Sequence, residues 1–139
     1  MLTFQAAAQA MPRGGRLLAT ASIAGLHGEP SASAYCASKA GVVALVRTLA
    51  IELAPLSITV NAVAPGQIET AMERRDRGLV AQRERRSPDE LLREHLERRV
   101  PLRRLGTPDE VAALFAFLAG PDAAYITGEV VRVDGGELA

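Results

Sequence analysis

The spacing of apolar residues changes several times along the chain, and each change marks a predicted element. From about Ala34 to Leu53, the residues Val42, Val43, Leu45, Val46, Leu49 and Leu53 recur at helical spacing, and Pro55 stops the run. Short apolar runs of strand length flank this helix: RLLATAS from Arg16, and the β-branched ITVNAVAPG, which Pro65 and Gly66 end. Before the first run, MLTFQAAAQAM reads as the end of a helix with no cap in front of it. Further on, SPDE at 87–90 and TPDE at 107–110 each place a Ser or Thr N-cap, a proline at N1 and a glutamate at N3. Both predict capping boxes. The second leads into VAALFAFLAG, where Val111, Leu114, Phe115 and Leu118 form an apolar stripe and Gly120 supplies the stop. GEVVRVDGG is a third strand running into paired glycines. Helix, strand, helix, strand, helices, strand is the order of an α/β protein with a parallel sheet. With about three strands the sheet reads as half of a larger one, and strand 16–21 leaves an edge that calls for another strand or chain.

Composition narrows the picture further. A chain of 139 residues with 48% hydrophobic residues suits one domain with a core. Sixteen basic residues balance sixteen acidic ones, so nothing draws the protein to nucleic acid or an anionic membrane, and small or uncharged molecules are the expected partners. Cys36, the single cysteine, excludes an intrachain disulfide and a cysteine-based metal cage, and no metal site is predicted. There is no apolar run of about 18 residues and no charged n-region followed by an apolar h-region, so a cytoplasmic location is expected. The segment from Met72 to Arg104 holds eleven of the fifteen arginines with seven acidic residues. Signs alternate there and no aromatic is interleaved, which fits a solvated helix face with pairs such as Glu94 and Arg98, while Leu92 and Leu96 turn inward. His95 belongs to that helix.

The chain uses arginine for every positive charge but one. Its only lysine, Lys39, stands four residues after Tyr35, one of two tyrosines. Residues four apart share a helix face, so the ammonium and the phenol can approach at the helix start. A neighbouring cation favours phenolate over phenol, which suits a buried tyrosine to general acid/base work near neutrality. Lysine fits better than arginine, because a compact ammonium can sit under the ring and keep donors for ligand hydroxyls. The spacing alone is a weak signal.

Ser22, thirteen residues before Tyr35, makes the pattern specific. With GGRLLATASIAG, YCASK, NAVAPGQIETAM, RLGTPDEVAALFAFLAG and ITGEVVRVDGG in order, the chain resembles the C-terminal half of a short-chain dehydrogenase/reductase along nearly all its length. The resemblance implies that residues 1–139 are a partial Rossmann-type, doubly wound domain. It also implies an oxidoreductase that interconverts an alcohol and a ketone or aldehyde with NAD or NADP. Ser22 would hold the substrate oxygen, Tyr35 would exchange its proton, and Lys39 would assist Tyr35 and hold the nicotinamide ribose. The loop from Pro65 and Gly66 to Thr70 would line the nicotinamide, with the Ile68 backbone and the Thr70 hydroxyl meeting the carboxamide. Residues 72–104 would form a substrate lid, and self-association would pair copies through the long helix and the helix before it, and through the last helix and strand. Local readings stand beside these: Ser22 as a loop cap, Pro65 and Gly66 as a strand terminator, Thr70 as a helix N-cap. His27 could touch substrate or simply be solvated, and Cys36 reads as a small core residue.

In one respect the chain departs from the family. No two of its twelve glycines are separated by a single residue, so neither G-x-G-x-x-G nor G-x-x-x-G-x-G can be written, and the phosphate cradle is missing. The alternative expectation is therefore a non-catalytic remnant or oligomerisation module of the same fold.

Overall fold

In a computed structural model, which describes residues 2–139, every residue of the second strand from Thr59 to Ala64 is buried. Continuous burial is what a parallel strand needs when both sheet faces are covered. Among the described residues the elements run α1 (Leu2–Ala10), β1 (Arg16–Thr20), α2 (Ser33–Leu53), β2 (Thr59–Pro65), α3 (Ala71–Glu84), α4 (Pro88–Arg99), α5 (Pro108–Ala119) and β3 (Val130–Val133). The sheet has the order β1-β2-β3 and is parallel throughout. Leu17 aligns with Val60 across the first pair, and Val63 with Val131 across the second.

Strand alternation divides the core in two. Leu17, Ala19, Val60, Ala62 and Ala64 face α2, whose Val43, Val46 and Ala50 are buried against them, with Phe4, Ala7 and Ala8 of α1 packed alongside. Leu18 and Val63 face the other way, toward Leu118, Val111, Leu114 and Phe115 of α5. The apolar stripe of α5 is thus an intrachain core. At roughly 25 cal/mol per Å² of apolar surface, each fully buried Val or Leu here contributes about 1.5–3 kcal/mol before entropy is counted.

A polar pin lies inside this apolar region. Asn61 is fully buried, donates from Nδ2 to Ile126 O at 2.8 Å and accepts from Glu129 N at 3.1 Å. Both ends of its amide are satisfied, so burial is tolerated, and the approach to β3 is locked beside β2.

The helix starts follow expectation unevenly. Thr107 and Glu110 form the reciprocal capping box at α5. The matching box at α4 does not close: Ser87 occupies the N-cap without a side-chain cap hydrogen bond. Residues 87–90 are all exposed, so water can serve those amides. Among the described residues no helix is long and apolar enough to cross a membrane.

Candidate active site

Ser22 lies two residues past the C-terminal end of β1 and caps a single 3-10 turn, Ile23–Gly25, with Oγ accepting from Ala24 N at 3.2 Å. The capping role is real, yet it uses only a lone pair, and the hydroxyl proton remains available to a ligand. This turn packs on α2 through Gly25. A Cβ at Gly25 would stand 2.7 Å from the Lys39 carbonyl carbon, so only glycine lets the serine turn approach the helix so closely. Gly25 carries no local signal in the sequence, because a local pattern cannot show what lies across from it.

Tyr35 is the third residue of α2, and Lys39 lies one turn on. Lys39 Nζ is 5.7 Å from the Tyr35 ring centroid and donates to Thr20 O, at the end of β1, at 3.1 Å. An ammonium carries three donors, so two remain. Tyr35 is 51% exposed, which corrects the expectation of a buried phenol: it occupies the first helical turn and opens onto a cleft instead of the core. Cys36 is likewise only half-buried, outside both core clusters.

Pro65 ends β2, and Gly66 N donates to Val133 O at 3.0 Å. The loop that follows is braced by the residues before α5. Gly106 N donates to Gln67 O at 2.9 Å and Glu69 N donates to Gly106 O at 2.8 Å, a parallel bridge between Ile68 and Gly106. The bridge leaves the backbone groups of Ile68 itself unused. Thr70 is the N-cap of α3, its Oγ1 accepting from Glu73 N at 3.1 Å. As at Ser22, the hydroxyl proton stays free. Glu110 holds the brace: it takes two hydrogen bonds from Arg104, at 2.9 and 2.5 Å, and one from Thr107 N at 2.8 Å. The Arg104 guanidinium, with Thr107 N, lowers its carboxyl from the ordinary 4.5 to about 2.

One open cleft of about 1180 Å³ is lined by Ser22, Tyr35, Lys39, the Pro65–Thr70 loop, and parts of α3 and α4. All seven residues singled out from the sequence, Ser22, Tyr35, Lys39, Pro65, Gly66, Ile68 and Thr70, border it. His27 borders it too, with Nδ1 2.9 Å from Gly28 O. On α4, Glu94 accepts from Arg86 at 2.6 Å and pairs with Arg98 at 2.9 Å, as the alternating charges imply, and these contacts lower its carboxyl. His95 does more than sit on that helix, since its Nε2 lies 3.3 Å from Glu137 Oε1. Glu137 carried no signal in the sequence, and only the folded tail brings it here. Among the described residues no group of three or more His, Cys, Asp or Glu side chains could hold a metal ion.

Comparison with known proteins extends the geometry. A family model described as enoyl-(acyl carrier protein) reductase matches residues 1–137. The 3-oxoacyl-(acyl-carrier-protein) reductase FabG of Thermotoga maritima is 42% identical over 124 residues, covering 89% of this chain and 46% of that protein. A short chain dehydrogenase family protein from Francisella tularensis superposes with a TM-score of 0.92 at 27% identity, over 97% of this chain and 55% of the other. An actinorhodin polyketide ketoreductase with NADPH superposes at 0.84 with 40% identity, over 90% and 48%. An NAD+-bound xylitol dehydrogenase does so at 0.80 with 36% identity, over 88% and 48%. The chain spans about half the length of the curated relatives it matches. From the matched residues, the shared sheet and the order of its motifs, the chain belongs to the short-chain dehydrogenase/reductase family.

Proposed function

We propose that the chain carries the catalytic and nicotinamide-facing half of an NAD(P)-dependent oxidoreductase that interconverts an alcohol and a ketone or aldehyde. One observation carries the reading: Lys39, tethered to Thr20 O, stands by the Tyr35 ring on the cleft that Ser22 also borders. The residues present fit the nicotinamide-ribose end of the cofactor. Two donors of Lys39 are free for ribose hydroxyls, and the Thr70 hydroxyl and Ile68 backbone are free for a carboxamide. The relatives with NADPH or NAD+ support this fit. When bound, the dinucleotide supplies or accepts the hydride.

The protein's own residues hold the reacting oxygen and move its proton. Ser22 donates to the substrate oxygen and fixes the carbonyl in the cleft. In reduction, Tyr35 Oη gives its proton to that oxygen as the carbonyl carbon gains hydride, and the phenolate regains a proton from solvent. Oxidation runs the same steps backward. The Lys39 ammonium stands beside the Tyr35 ring and keeps two donors for the ribose hydroxyls. Helices α3 and α4 serve as the substrate lid, and copies of the chain associate.

A titration of NADH and NADPH fluorescence against the 139-residue chain tests the reading. Saturable binding is expected, with Tyr35→Phe keeping the binding and losing hydride transfer to a small ketone such as diacetyl. A second reading, a non-catalytic scaffold of the same fold, is favoured by the half-exposed phenol. No binding at millimolar cofactor would decide for the scaffold.

A further inference from the structure

Buried polar atoms without partners are rare in folded proteins, because each has given up water without replacement. Among the described residues seven such side-chain atoms occur, and five belong to four residues lining the one cleft: Glu73 Oε2, Arg77 Nε and Nη1, His95 Nε2 and Glu137 Oε2. We propose that these four residues form a polar subsite for a polyhydroxylated alcohol or carbonyl compound.

Glu137 is the firmest of the four. Its side chain is 3% exposed, Oε1 faces His95 Nε2 at 3.3 Å, and Oε2 meets no donor. The turn beneath it is held in place. Asp134 accepts from Gly136 N at 3.0 Å and from Leu138 N at 3.2 Å, and Arg132 donates to Leu138 O. A Cβ at Gly66 would lie 3.2 Å from Glu137 Oε2, so the carboxylate stands against the loop that follows β2. On α3, Arg77 Nε lies 3.5 Å from Glu73 Oε1, with side chains 18% and 11% exposed and no aligned hydrogen bond between them.

The donor and acceptor set names the ligand. Glu73 and Glu137 offer acceptors and Arg77 offers donors, while a hydroxyl both gives and accepts, so a chain of hydroxyls answers all of them. An anionic ligand would meet two carboxylates and one guanidinium. The cleft's other arginines are already engaged, Arg86 and Arg98 with Glu94, and Arg99 with Glu29 at 3.9 Å. A long hydrocarbon chain offers no hydrogen bond to any of the five atoms, which have already given up water. The inference rests on the proposed oxidoreductase reading for where the reacting carbon lies, but ligand binding at the subsite does not depend on it.

The test uses the 15N-labelled 139-residue chain without cofactor, with xylitol as one probe and the N-acetylcysteamine thioester of hexanoic acid as the other. Xylitol is expected to give saturable NMR shifts of the Glu137 amide and the Arg77 Nε–H resonance. Glu137→Gln and Arg77→Met should each weaken its binding about tenfold, the worth of a hydrogen bond to a charged group. An unchanged amide spectrum elsewhere confirms the fold, and if one variant does not fold the other decides. No xylitol shift, a folded variant that binds like the parent, or tighter binding of the thioester at those resonances overturns the proposal. Xylitol binding without hydride transfer would sink the oxidoreductase reading and leave the subsite standing; hydride transfer without xylitol binding would do the reverse.

Discussion

Lys39 commits one ammonium proton to Thr20 O, and that bond holds the charge beside Tyr35 and steadies the remaining two donors. Lys39→Met is therefore expected to weaken NADH binding about tenfold or more while the melting temperature changes little, checked by fluorescence titration and circular dichroism. Equal affinity in the variant would remove Lys39 from the cofactor site. Gly25 acts by what it lacks. Gly25→Ala places a methyl 2.7 Å from the Lys39 backbone, and overpacking of that kind costs about 1–3 kcal/mol, visible as a lower denaturant midpoint at unchanged m-value. Tyr35 and Lys39 could be picked out beforehand because their spacing is local; Gly25 could not, because its neighbour belongs to another element.

Two helix starts with matching patterns, SPDE and TPDE, behave differently. At α5 the Thr107 box closes and Glu110 also takes the Arg104 fork, whereas Ser87 at α4 caps nothing. Thr107→Ala should thus cost about 1 kcal/mol of stability and Ser87→Ala much less, compared by chemical denaturation. Glu110 also gives the fold an acid limb. Its folded value of about 2 lies below the ordinary 4.5, so its contribution is complete above pH 4.5 and disappears as pH falls toward 2. Melting curves across that window should flatten in Glu110→Gln, and added salt should shrink the difference because the pair is solvent-exposed. An identical acid limb in the variant would show that other carboxylates carry it. Because Glu110 holds Thr107 N, next to Gly106, the same substitution is expected to loosen the Ile68 loop that Gly106 braces.

At the scale of the whole molecule, α1 and α2 cover one face of the sheet and α5 the other, while β1 keeps one edge unpaired among the described residues. Ile51 on α2 is 78% exposed although its helix is otherwise well buried on the sheet side. The exposed Ile51 fits the proposed association between copies through the long helix. Light scattering is expected to report a mass of at least two chains, reduced by Ile51→Glu without loss of helical content. The mass of one chain in the parent would refute it.

What the amino-acid order determined was of short range. Helical spacing placed helices and short apolar runs placed strands, proline and glycine placed their ends, and the ordered segments around Ser22, Tyr35 and Pro65 named the candidate residues. Tertiary structure decided the rest: that these residues border one cleft, that the phenol is half open to it, and that Glu137 reaches His95. The reason is physical, since backbone periodicity is set by neighbours within a turn, whereas burial and pairing depend on which distant side chains the packed sheet brings together.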